Sequence, residues 1–155
     1  MIGAGKVSHW AACGKLHGRQ YGTVRPAGFP SLFDRTWLYC LVFVPDTDSP
    51  KGASSAEDAD RWLTSERFDL LLLDIELPRM KGVEFLSWAL SRDPEMAVIM
   101  LTGLDIPEVA IECMDQGART YLVKPIEVDF LRLALRDALG LRRVLVERND
   151  LASRA

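Results

Sequence analysis

The chain is poor in cysteine, has no long apolar run and carries almost no acid in its first quarter, and each shortage excludes something. Its three cysteines, Cys13, Cys40 and Cys113, are far apart and odd in number, and no CxxC occurs. Neither a zinc site nor a disulfide framework is indicated, which fits a reducing compartment. The longest apolar stretch before residue 69, Trp37 to Val44, is far too short to cross a bilayer. The N-terminus also lacks the basic-then-apolar order of a signal peptide. The expected location is the cytoplasm, with no membrane contact. A net charge of −3 over 155 residues gives no reason to expect direct nucleic-acid binding.

Residues 1–52 read as an atypical segment. Six of the eleven glycines fall before residue 30, both histidines (His9 and His17) lie here, and Asp34 is the only acid among the first 40 residues. Lys6, Lys15, Arg19, Arg25 and Arg35 are scattered and make no patch. Gly3-Ala4-Gly5-Lys6 lacks the first glycine, the following Ser or Thr and the preceding strand of a phosphate loop. The first readable element is a strand over residues 37–44.

From residue 53 the pattern is regular. Ser55, followed by Glu57 and Asp58, predicts a helix start. Asp69 to Pro78 holds four consecutive leucines and then Asp74, as expected of a buried strand ending at a carboxylate. Pro78 and Gly82 frame a loop before a helix that Asp93-Pro94 stops. Met96 to Leu101 is a second buried strand, ending at Thr102-Gly103. Pro107 suits the first turn of a helix that Gly117 closes. Thr120 to Val123 is a third strand, ending at Lys124-Pro125, and a last helix starts near Glu127.

Strands alternating with helices predict an α/β fold, a doubly wound parallel sheet of the flavodoxin-like kind, with Asp74, Thr102 and Lys124 all at one edge. Ligand chemistry in such sheets sits outside the carboxyl ends of the strands. A carboxylate, a hydroxyl and an ammonium meeting there suit an anion with three oxygens. A carboxylate accepts a phosphoryl group when the donor is held in line, and phosphoryl transfer asks mainly for positioning and charge neutralisation. A divalent cation is normally needed as well, and Mg2+ takes one or two carboxylates plus other oxygens.

The run Leu73-Asp74-Ile75-Glu76-Leu77-Pro78 with Met80 and Gly82, the step Thr102-Gly103, and the run Gly117 to Pro125 together resemble the receiver domain of two-component response regulators, over residues 53–140. The resemblance implies that Asp74 is the phospho-acceptor, that Thr102 and Lys124 bind phosphoryl oxygens, and that Thr102 and Tyr121 form the switch. It implies a cis Lys124–Pro125 bond. It also implies Mg2+, with Asp74 and the backbone carbonyl of Glu76 as ligands, and a sensor histidine kinase or phosphotransfer protein as partner. The implied output is a changed surface over about residues 104–130. Such a protein is a signalling module, not a metabolic enzyme; its own chemistry is at most self-catalysed phosphotransfer and aspartyl-phosphate hydrolysis.

One part of the pattern is missing. Receivers carry an acid pair at the end of a first strand, and the matching place near Phe29-Pro30 has none. Asp34 is isolated, and Asp46 and Asp48 stand too close to the helix at residue 55 for a crossover, which needs a dozen residues or more. Two explanations remain open: a divergent pseudo-receiver that signals without phosphate, or a foreign start joined to a true receiver at about residue 50. In either case a sheet lacking its first strand is expected to leave apolar edges exposed. After residue 140 no helix-turn-helix follows. Leu131, Leu135, Ala138, Leu141 and Leu145 continue an apolar stripe, so residues 141–155 read as a helical extension or linker, with Gly140 against continuity. A homodimer through the switch face or this helix is the remaining partner expectation.

Overall fold

The computed structural model describes residues 15–16, 19–20, 40–43, 51–103 and 105–154. Gly3–Lys6, His9, Cys13, His17, Asp34, Asp46 and Asp48 lie outside the described residues. In chain order the elements are β1 (Lys15–Leu16), β2 (Arg19–Gln20), β3 (Cys40–Phe43), β4 (Lys51–Ala53), α1 (Ala56–Ser65), β5 (Leu70–Asp74), α2 (Gly82–Arg92), β6 (Ala97–Thr102), α3 (Pro107–Asp115), β7 (Thr120–Val123) and α4 (Val128–Arg154). β1 and β2 make a small antiparallel pair.

Local chemistry explains where the helices begin and end. The Ser55 hydroxyl accepts the Asp58 N–H at 3.2 Å and caps α1, with Glu57 and Asp58 in the positive first turn. α2 ends at Asp93, whose N–H still reaches the Ala89 carbonyl, because Pro94 cannot continue the ladder. Pro107 occupies the first turn of α3, where its missing N–H is not needed, and Gly117 follows with φ of 107°, a left-handed conformation open to glycine. α4 runs unbroken through Gly140 to Arg154, so that glycine does not end it.

The main sheet has the order β4-β3-β5-β6-β7. β5, β6 and β7 are parallel, with Asp74 paired to Leu101 and Thr102 paired to Val123, so their carboxyl ends coincide. Every residue of β5 and β6 is buried. The expected strand over 37–44 is found as β3 over 40–43, the rest of that range lying outside the described residues.

The expected parallel sheet is found over β5, β6 and β7, and its divergent first strand, β3, joins in the opposite sense. β3 runs antiparallel to both neighbours, pairing Cys40 with Leu73 and Phe43 with Leu70 on one side, and Cys40 with Ala53 on the other. The reason is the length of the connection. Seven residues (44 to 50) separate β3 from β4, enough for an antiparallel return but not for a parallel crossover. The predicted bare edge is corrected on this side of β5: its backbone groups have found a partner in β3, as buried N–H and C=O groups require.

The two faces of the sheet are covered unequally. One core gathers Leu71, Leu73, Val98 and Met100 under α1, α2 and α3, through Ala59, Phe85, Leu86 and Cys113. The other gathers Leu70, Leu72, Ile99 and Leu101 under α4, through Leu131, Leu135 and Ala138. Full burial of a leucine or isoleucine is worth roughly 1.5–3 kcal/mol, so the buried apolar residues of these two strands contribute heavily to stability.

Candidate functional site

Asp74, Thr102 and Lys124 are the buried polar or charged side chains among the described residues, at 2, 2 and 6 % exposure. They stand at the ends of three adjacent parallel strands, as the sequence predicted. Such burial is costly for a charge unless it is paired. Lys124 Nζ is hydrogen-bonded to Asp74 Oδ2 within a buried ion pair. The second carboxylate oxygen, Oδ1, accepts the Glu76 N–H at 2.8 Å. Both oxygens are therefore engaged, one by a charge and one by a backbone dipole.

The loops hold this arrangement from below. The Lys124 N–H donates to the Thr102 carbonyl at 2.7 Å and the Ile75 N–H to the Leu101 carbonyl at 2.8 Å, tying the three strand ends together. The Lys124–Pro125 bond is cis, as the resemblance implies. Strand pairing sets Thr102 beside Val123 and Met100 beside Tyr121, so Thr102 and Tyr121 share one face of the sheet as diagonal neighbours. Tyr121 is half-buried against the core that contains Met100 and Cys113.

Three features around the site take their form from the fold. Gly82 was assigned to a loop, yet its backbone passes so close to β5 that a Cβ there would overlap the Asp74 carbonyl and the Ile75 Cα. Its N–H donates to the Ile75 carbonyl at 2.8 Å and closes the loop. Arg79 takes a left-handed φ of 64° and pairs with Glu57 of α1 at 3.2 Å. The carboxyl of Glu57 is held below its usual pKa by backbone N–H, the Ser55 hydroxyl and Arg79. The Glu76 carboxylate lies beside Gly103, where an added Cβ would be in ordinary contact with Oε2 at 3.6 Å.

The candidate Mg2+ ligands, the Asp74 carboxylate and the Glu76 backbone carbonyl, are the two expected from the sequence. Among the described residues no group of three or more His, Cys, Asp or Glu is placed to hold a metal ion. The antiparallel course of β3 brings none of its own carboxyl-end residues to the site. Its carboxyl end, Phe43, pairs with Leu70, at the far end of β5 from Asp74. The described residues thus do not by themselves fit Mg2+, and no step below is routed through it.

A sequence model of the family described as "Response regulator receiver domain" matches residues 47–136. The chain belongs to that family. The receiver is 36% identical over 110 residues to the alginate biosynthesis transcriptional regulatory protein AlgB of Pseudomonas aeruginosa, a match covering 71% of this chain and 24% of AlgB. It is 28% identical over 108 residues to the chemotaxis protein CheY of Listeria monocytogenes, covering 70% of this chain and 91% of CheY. The chain therefore spans about a quarter of the length of AlgB and nearly all of CheY. Among solved structures, a CheY-like receiver from Methanospirillum hungatei aligns with a TM-score of 0.56 at 32% identity, over 59% of this chain and 73% of that one. NtrX from Brucella abortus aligns with a TM-score of 0.61 at 30% identity, over 66% of this chain and 24% of NtrX. The receiver fold is thus shared despite the reversed β3. No helix among the described residues is long and apolar enough to cross a membrane.

Proposed function

We propose that Asp74 is the phospho-acceptor of a phosphorelay. A phosphohistidine on a sensor kinase or phosphotransfer protein loses its P–N bond as a carboxylate oxygen of Asp74 forms the new P–O bond, and the freed imidazole leaves with the donor protein. Lys124 then turns from the carboxylate to a phosphoryl oxygen, and the Thr102 hydroxyl donates to another. The single observation behind this reading is the buried Asp74–Lys124 pair with Thr102 at the adjoining strand end. Inward movement of Thr102 vacates space on the face it shares with Tyr121, whose ring can follow. Partners read the result on the surface of about residues 104–130, with Leu104 outside the described residues. The surface carries exposed Ile106, Ile111, Met114 and Val123. A homodimer through this surface or through α4 belongs to the same reading. So does the division into an atypical 1–52, a receiver body over 53–140 and an extension over 141–155.

The reversed β3 favours a second reading, a pseudo-receiver that docks partners without phosphate. One ammonium opposes the two or so charges of an aspartyl phosphate, and among the described residues no group of three or more His, Cys, Asp or Glu is placed to hold a metal cation. Intact mass after incubation with acetyl phosphate and Mg2+ separates the two. Gain of one phosphoryl group by the parent, and none by Asp74→Ala or the isosteric Asp74→Asn, supports the acceptor. No gain in a folded parent supports the pseudo-receiver.

A further inference from the structure

α4 changes character at Gly140. Before it, Leu131, Leu135 and Ala138 are buried in the core over β5 and β6. After Ala138 no described residue of the helix is buried, and two polar contacts hold it instead. Arg142 bridges Asp69, just before β5, at 2.6 Å, and the Asn149 amide donates to Glu95 Oε1, just before β6, at 2.6 Å. The first contact is imperfect. Both of its side chains are less than one-fifth exposed, yet Arg142 Nε is buried with no hydrogen-bond partner, and that cost offsets part of the bridge. The second spans a gap, since Asn149 stands on a cleft of about 690 Å3 lined also by the buried Phe68, Ala89 and Met96. Nothing in the packing asks for a glycine at position 140. Its backbone is helical and a Cβ there would meet nothing within 4 Å. Glycine nevertheless weakens a helix interior about fivefold relative to alanine.

We propose that residues 141–154 form an arm hinged at Gly140, which exchanges between a docked helix and a released, unwound segment while the receiver body stays folded. The arm is the least stable part of α4 on three independent counts: no buried residue, an imperfect clasp and a glycine at its root. Cut off from its packing, a helix of about 14 residues is marginal in water, so undocking and unwinding are one event. Docked, the arm fixes the direction in which the chain leaves the body. Released, it leaves that direction free and makes the half-buried Leu145 and Val146 accessible. The clasp is therefore a switch on the extension, set by two polar contacts and one glycine. It does not rest on the phospho-acceptor reading, because both anchors lie at the far end of the strands from Asp74.

Hydrogen–deuterium exchange of the full chain, resolved amide by amide at several low urea concentrations, tests it. In the parent, the amides of residues 145–154 are expected to exchange together, about tenfold or more faster than those of 135–139. Their rates should hardly change with urea, because release exposes little surface, whereas those of 135–139 should rise with it. Gly140→Ala is expected to slow the arm about fivefold. Arg142→Ala and Asn149→Ala are expected to speed it, by about tenfold and a few-fold. Both of these substitutions raise helix propensity, so faster exchange comes from the lost contact and not from a weaker helix. An arm that shares the rate and urea dependence of 135–139 overturns the proposal, since α4 is then one unit. So do rates that climb gradually from 141 to 154, which are end fraying, an arm indifferent to Gly140→Ala, or one that neither clasp variant accelerates.

Discussion

β5 meets its two neighbours in opposite senses. On one side it pairs in parallel with β6 over five residues, and β6 with β7, so that three strand ends arrive together at Asp74, Thr102 and Lys124. On the other it pairs antiparallel with β3 over four residues, and the strand end that arrives beside Asp74 is an amino end. Both sides satisfy the hydrogen bonds of β5. Only one side contributes carboxyl-end chemistry. Burying leucine and closing a ladder are indifferent to strand direction, whereas a site made of strand-end side chains depends on it.

The largest expected effect lies on the parallel side. Asp74→Ala leaves the Lys124 ammonium buried without this carboxylate and should cost about 3–5 kcal/mol in urea unfolding. Adding Lys124→Met should recover part of the loss, because an apolar pair needs no counter-charge. A loss well below 1 kcal/mol would mean that the pair is not buried. Gly82→Ala comes next, at about 2–3 kcal/mol, since its Cβ must displace the backbone of β5 rather than a mobile side chain. An unchanged midpoint would show that the loop does not approach Asp74 so closely.

A proline in β3 questions the other side directly. Leu41 pairs with both Gly52 and Leu72, so Leu41→Pro should cost about 1–2 kcal/mol in lost ladder hydrogen bonds. No change would remove β3 from the sheet and end the comparison. The smallest effect is at the amino end of α1. Ser55→Ala should cost about 1 kcal/mol by loss of the cap. The lowered pKa of Glu57 gives a contribution present above its ordinary 4.5 and lost as the pH falls through the folded value. Because Glu57 is exposed, salt should shrink that acid-side loss, and Glu57→Gln should abolish it; a salt-independent loss would assign it to another group.

The sequence alone was enough for the elements after residue 53 and for the three residues of the site, because their signals are local. Four leucines before an acid, a proline at a helix start and a glycine after a helix end constrain the chain within a few residues of themselves. The pairing of Arg79 with Glu57 and the Arg142–Asp69 bridge have no such signal, since each depends on a segment far away in the sequence. The course of β3 is the clearest case. Its apolar composition announced a strand, but backbone pairing beside β5 is open to either direction. The short connection to β4 and the register against Leu70–Leu73 decided which way it runs. With that direction, tertiary structure also decided that no carboxyl end of β3 reaches Asp74.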